Sequence, residues 1–275
     1  MSIRNFVPLV WAKEIELNRE NMMVATKLCN RDYEGDIKEL GDKVKINGVS
    51  RPTITDYDDV NGLGDFERLQ DQSTMLEITQ SKAFHFYVGD IDKRQSAGNI
   101  MNAELKEAAA ALAEVMDSYV YSLYDEAGIV TEVDSLNEDN VLSVINETLG
   151  KLWKNNVPTT EAVSLEVTPE FLTKLQMAKL LVDTDNSGVL EGGISHKLKT
   201  FNIDVYMSNN LPNEDGTDIC ILRTKKAISF AEQLKEIKAY EPQNFFGEAV
   251  KGLQVYGAKV IRPDELAVIK VAAYN

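Results

Sequence analysis

The sequence predicts an α+β fold. Three observations carry this reading: strand and turn signals dominate residues 41–92, one long alanine-rich helical pattern occupies 99–127, and helices and strands mix from there to the end. The first element lies in MSIRNFVPLVWAKEIELNREN, where Pro8 suits a first helical turn and a mostly helical stretch runs to about residue 30. Trp11, Ile15, Met22 and Ala25 share a face that Asn18 interrupts, so this helix is expected to pack shallowly or against a partner.

In the strand-rich region, KVKINGV contains Asn47-Gly48, the strongest short hairpin signal, and Pro52 and TITDY follow. DDVNGLGDFERLQDQS is a polar, glycine-containing loop. TMLEITQSKAFHFYVGDID then returns as strand with Phe84, Phe86 and Val88 on one face. About fifty residues with so few core-type side chains cannot hold themselves up, because a two-stranded hairpin alone is marginal in water. The region is expected to lean on something outside its own domain.

The helix over 99–127 is the clearest element. Leu105, Ala109, Leu112, Met116, Tyr119 and Leu123 recur at alternating spacings of four and three, and Gly128 stands where a C-cap is expected. NEDNVLSVINETLGKLWKNNVP predicts a second helix ending near Pro158, and AVSLEV a strand. TPEFLTKLQMAKLLV predicts a third helix with Thr168 as N-cap and Pro169 in its first turn. FNIDVYMS alternates Phe201, Ile203, Val205 and Met207 with Asn202, Asp204, Tyr206 and Ser208, the period of a half-buried strand. ICILRT is another strand, and AISFAEQLKEIKAY admits a strand followed by a helix. The end, VKGLQVYGAKVIRPDELAVIKVAAY, predicts two strands around a turn at Arg262-Pro263-Asp264.

Composition narrows the function classes. With 275 residues and 44% hydrophobic content the chain can build a substantial core, and nowhere do eighteen apolar residues run together to span a membrane. No signal peptide opens it, and two cysteines, Cys29 and Cys220, are too few for a disulfide framework; cytoplasmic synthesis is expected. A net charge of −15 argues against gripping nucleic acid, which rewards Lys and Arg for releasing counterions. The same charge resists accidental association, so any assembly must rest on well-fitted contacts.

Catalytic and cofactor signatures are missing. His85 alternates within an aromatic strand and reads as structural, while His196 sits beside a turn with no companion ligands at metal spacing. GLG at 62–64 is no phosphate cradle, and no Walker motif occurs. No cofactor and no enzyme activity are expected. DTDNSGVLEGG at 183–193 imitates a calcium loop through Asp183, Asp185, Ser187 and Gly188, but its twelfth place is Ile194 rather than a bidentate carboxylate, and a strand rather than a helix follows. It reads as a helix-to-strand turn.

The order of elements, with the phrases GDKVKINGVSRPTITDY, QSKAFHFYVGDIDKRQS, FNIDVYMSNNLP and FFGEAVKGLQVYGAKVIRPDELAVI, resembles the major capsid proteins of tailed bacteriophages, which have the Hong Kong 97-type fold. The resemblance spans nearly the whole chain. It implies an N-arm over 1–36, an extended E-loop hairpin with flanking strands over 37–96, a spine helix over 97–129 that belongs to the peripheral domain, an axial domain over 130–240, and C-terminal strands packing back over 241–275. It also implies subunit-interface residues on the E-loop, Tyr57, Val60, Leu63, Phe66 and Leu69, and N-arm contacts through Phe6, Trp11 and Ile15.

The implied function is self-assembly, in hexamers and pentamers, into an icosahedral virion shell that encloses double-stranded DNA without reading its sequence. The implied partners are further copies of the chain, a portal and, in some capsids, a decoration protein. Arm-like sequence begins at Met1, so a separate scaffolding protein is expected rather than a fused one. Lys43, Lys45 and Lys82 match no site of covalent cross-linking. Two other readings compete: an encapsulin-type compartment shell of the same fold, and a monomeric calcium-binding protein built on Asp183 and Asp185.

Overall fold

A computed structural model describes residues 15, 18, 23–33, 41–49, 54, 71–89, 100–181, 194–198, 203–244 and 246–275. The calcium-like loop at 183–193, the E-loop residues Tyr57, Val60, Leu63, Phe66 and Leu69, and Phe6 and Trp11 of the arm lie outside these residues.

Three sheets, one of them the two-stranded β1–β2 pair, and three α-helices organise the described residues. A seven-stranded sheet runs in the order β4 (Ile129–Val133), β12 (Leu266–Val271), β9 (Thr217–Thr224), β5 (Val163–Val167), β7 (Asp204–Met207), β6 (Ile194–Lys197), with the short β8 (Asn213–Glu214) also pairing β9. Pairs β12–β4 and β5–β7 are parallel and the others antiparallel. One face is covered by α2 (Val141–Lys154) and α3 (Pro169–Met177), which close a core around Ile145, Leu149, Leu165, Phe171, Leu175, Leu222 and Ile269. The other face contributes Ile219, Ile221, Leu266 and Val268 to a second core with α1 (Ile100–Tyr121).

This two-sided cover explains FNIDVYMS. Val205 is buried as expected, but Tyr206 and Ser208 are buried too and Met207 is 40% exposed. An interior strand between two cores loses the simple alternation of a half-buried one.

The second sheet has three strands in the order β10 (Ile228–Tyr240), β11 (Gly247–Val260), β3 (Gln80–Gly89), all antiparallel. AISFAEQLKEIKAY is strand throughout, with a bulge between Leu234 and Glu236, because pairing along all of β11 outweighs the helix-forming QLKEIK. Helix α1 lies on one face, where Leu105 and Ala109 meet Val88, Val250 and Ile237. Ile15 is fully buried in the same cluster, so at this position the first segment packs into a core of its own chain rather than shallowly. Past Tyr121 helix α1 continues as a 3-10 turn, Ser122–Glu126.

Gly128 is not a left-handed cap. Its N–H donates to the Pro263 carbonyl at 3.0 Å, and a Cβ there would sit 2.7 Å from that oxygen, so glycine serves a close backbone approach. Helix α3 begins as expected, with Thr168 accepting from the Phe171 N–H and Pro169 in the first turn, but stops at Met177; Lys179 takes φ 54°.

On the opposite face of the three-stranded sheet lies the hairpin of β1 (Lys43–Val49) and β2 (Asp71–Glu77). Asn47 and Gly48 do not turn the chain. They pair with Ser73 and Gln72, since the β1–β2 ladder runs unbroken from Lys43↔Glu77 to Val49↔Asp71 and leaves the connection to the residues beyond. Ile46, Leu76 and Ile78 pack on Ala231 and Val255, so the base of the hairpin leans on its own chain.

Candidate assembly surfaces and the buried anchor of the arm

The most chemically loaded cluster lies where residues 23–31 cross the molecule. Arg223 on β9 is fully buried, and its guanidinium grips Glu166 on β5 through Nε–Oε1 at 2.6 Å and Nη2–Oε2 at 3.1 Å. The remaining donors reach the arm: Nη2 to the Ala25 carbonyl at 2.8 Å and Nη1 to Cys29 Sγ at 3.2 Å. Burial alone would lower the Arg223 pKa, but Glu166 beside it outweighs that and raises it, so the guanidinium stays charged.

From the spine helix, Asp117 accepts from the Val24 N–H at 2.8 Å and from the Thr26 N–H at 3.2 Å. Burial raises the Asp117 pKa against the pull of these N–H donors. Asn30 then adds a parallel bridge to β10, and Arg31 pairs with Glu232, which also accepts from Gln254 at 2.9 Å. Residues 23–31, α1, the seven-stranded sheet and β10 are thereby tied at one place. This arrangement fixes geometry and has no feature of a catalytic centre. Burial raises the Cys29 thiol pKa and pushes that of Cys220 up to about 12, so neither is a poised nucleophile.

The sequence reading missed this anchor. A signal was present: Glu166 and Arg223 are the single charged residues of the mainly apolar phrases VSLEV and ICILRT, and charges inside buried strands come paired.

His85 lies on the exposed outer face of β3, stacked on Tyr240 with its Nε2 2.8 Å from the Tyr240 hydroxyl. His196 falls in β6. Among the described residues no group of three His, Cys, Asp or Glu side chains is placed to hold a metal, and no helix is long and apolar enough to cross a membrane. Among the described residues the most exposed large apolar side chains are Phe246 (92%), Ile54 (89%), Met75 (56%) and Met177 (55%), and the Tyr87 hydroxyl donates to the Phe246 carbonyl. Surfaces of this kind suit contact with other chains.

No family model matches the sequence, nor does any curated protein. Solved structures do. A chain from Mycobacterium phage Che8 is 28% identical, superposes with a TM-score of 0.72, and the match covers 90% of each chain. The capsid of cyanophage P-SCSP1u matches at 16% identity and TM-score 0.69 over 90% of this chain and 87% of that one. The chain has the Hong Kong 97-type fold of these phage capsid structures. An encapsulin complex from Synechococcus elongatus shares the fold more distantly, at 13% identity and TM-score 0.55, covering 82% of this chain and 81% of that one.

Proposed function

We infer that the chain is the major subunit of a tailed-phage shell, assembling in hexamers and pentamers into an icosahedral container for double-stranded DNA. The likeness to the phage Che8 chain over nine-tenths of both chains supports this reading most strongly. In it, residues 1–36 act as the N-arm, 37–96 as the E-loop with its flanking strands, 97–129 as the spine helix of the peripheral domain, 130–240 as the axial domain and 241–275 as strands that pack back. Tyr57, Val60, Leu63, Phe66 and Leu69 contact neighbouring subunits, and Phe6 and Trp11 extend the arm. A separate scaffolding protein and a portal are the assembly partners this reading implies, and the virion is the place of residence. The net charge of −15 suits a wall that confines DNA without holding it.

Replacing residues 58–71 by a short Gly-Ser linker tests the reading. The expected product is a soluble monomer with unchanged circular dichroism and melting that forms no normal shells, because small contacts repeated by symmetry hold such particles together. Unfolding of the monomer would place the segment in the core, and normal shells would remove its interface role.

A further inference from the structure

Residues 23–31 lie across the place where the chain passes from one large sheet to the other. It makes that passage at 225–227 between β9 and β10, at 261–265 between β11 and β12, and through the turn that follows α1. These passages are bonded to one another: the Ile261 and Arg262 N–H groups donate to the Ala227 carbonyl at 2.9 and 3.1 Å, and the Gly128 N–H donates to the Pro263 carbonyl at 3.0 Å. Segment 23–31 holds both ends of the first passage. Before it, Arg223 donates to the Ala25 carbonyl. After it, the Asn30 N–H donates to the Ile228 carbonyl at 2.8 Å and the Asn30 carbonyl accepts from the Phe230 N–H at 2.9 Å. Asp117 on α1 accepts from the Val24 and Thr26 N–H groups. Met23, Ala25 and Cys29 are fully buried in a core that draws Ile221 and Val268 from the seven-stranded sheet and Phe230 and Tyr256 from the three-stranded one.

The segment that fastens so much has little regular structure of its own. It contains the short 3-10 turn Thr26–Leu28 and a bridge at Asn30, whereas β10 and β11 pair along nearly their whole lengths. What it covers also eases its opening. Asp117, Glu166 and Arg223 are buried ionisable groups, and lifting the segment returns water to them, a compensation that peeling an apolar strand lacks. We propose that residues 23–31 are a clamp on a hinge. They open as one unit while both sheets stay folded, and their opening releases the passages at Ala227 and Pro263 so that the two sheets turn against each other. The inference concerns the single chain and holds whether or not copies close into a shell.

The chain carries two natural probes, Cys29 in the clamp and Cys220 in the core under α2 and α3, both fully buried. The test exposes the unassembled full-length chain to iodoacetamide, follows each thiol by mass spectrometry, and measures amide exchange alongside. Cys29 is expected to react about tenfold or more faster than Cys220. The amides of Thr26, Asn30, Phe230, Ile261, Arg262 and Gly128 should share one protection factor, about tenfold or more below those of Leu222 and Val268. Ile145→Val, in the core around Cys220, should speed Cys220 about twofold to tenfold and leave Cys29 unchanged. Asn30→Pro removes the donor to Ile228, and Cys29, at φ −92° and ψ 160°, already has the backbone of a residue before proline. This variant should speed Cys29 and the Ile261, Arg262 and Gly128 amides together, about fivefold to tenfold. Equal acceleration of Cys29 and Cys220 in Ile145→Val overturns the proposal, because the segment then opens only with the whole fold. Amides of Ile261, Arg262 and Gly128 as protected as that of Val268 overturn it too, because they leave a loose segment and no hinge.

Discussion

Removing Arg223 alone leaves Glu166 buried with its ion partner gone. Arg223→Met is therefore expected to cost about 3–5 kcal/mol in urea unfolding, whereas pairing it with Glu166→Leu should recover most of that loss, since a buried ion pair adds little over well-packed apolar side chains. Losses that simply add would contradict the account. The double variant still lacks the donors to Ala25 and Cys29, so the arm should exchange amide hydrogens faster even where global stability returns. Asp117 adds a pH dependence. Its pKa is raised by burial in the folded chain, so the folded state holds the proton longer. Its contribution is complete below the unfolded-state pKa and is lost as pH rises through the raised value. Melting temperatures of wild type and Asp117→Asn should accordingly diverge with pH, the wild type gaining on the variant as the solution is acidified; parallel curves would show that Asp117 does not titrate in this way.

Among the elements, the base of the hairpin is held by its seat on the three-stranded sheet. Gly257→Ala should drive a methyl group into the Glu77 carbonyl and the Ile78 Cα at 3.0 Å, both backbone atoms that cannot swing aside. The expected result is a monomer destabilised by about 1–3 kcal/mol, with the β1–β2 base displaced, read as lost amide protection at Leu76 and Ile78. Unchanged protection there would mean the hairpin base is not seated on β11. The elements readable in the sequence were those whose signal is local: α1 from its spacing, α3 from Thr168-Pro169, and the turn at Pro263. Those misread depended on partners far along the chain. Asn47-Gly48 carries the local mark of a tight turn, yet its residues pair across the β1–β2 ladder, and QLKEIK favours a helix until β11 supplies a strand to pair with. The buried anchor was unread for the same reason, because Asp117, Glu166 and Arg223 lie far apart in sequence and only the fold brings them to Val24, Ala25 and Thr26.

At the scale of the whole molecule, one chain carries two kinds of surface: cores tied internally by α1, the central sheet and the arm anchor, and exposed apolar groups at Ile54, Met75 and Phe246. The strongly negative charge keeps separate copies soluble, and closure by symmetry multiplies contacts that are weak one by one. The central claim is that copies of this chain close into a shell through the extended hairpin. Electron cryomicroscopy of the protein, purified alone and together with the products of its neighbouring genes, tests it most directly. The account predicts closed icosahedral particles in which the segment between β1 and β2 crosses onto an adjacent subunit; monomers or small open oligomers under every condition would contradict it.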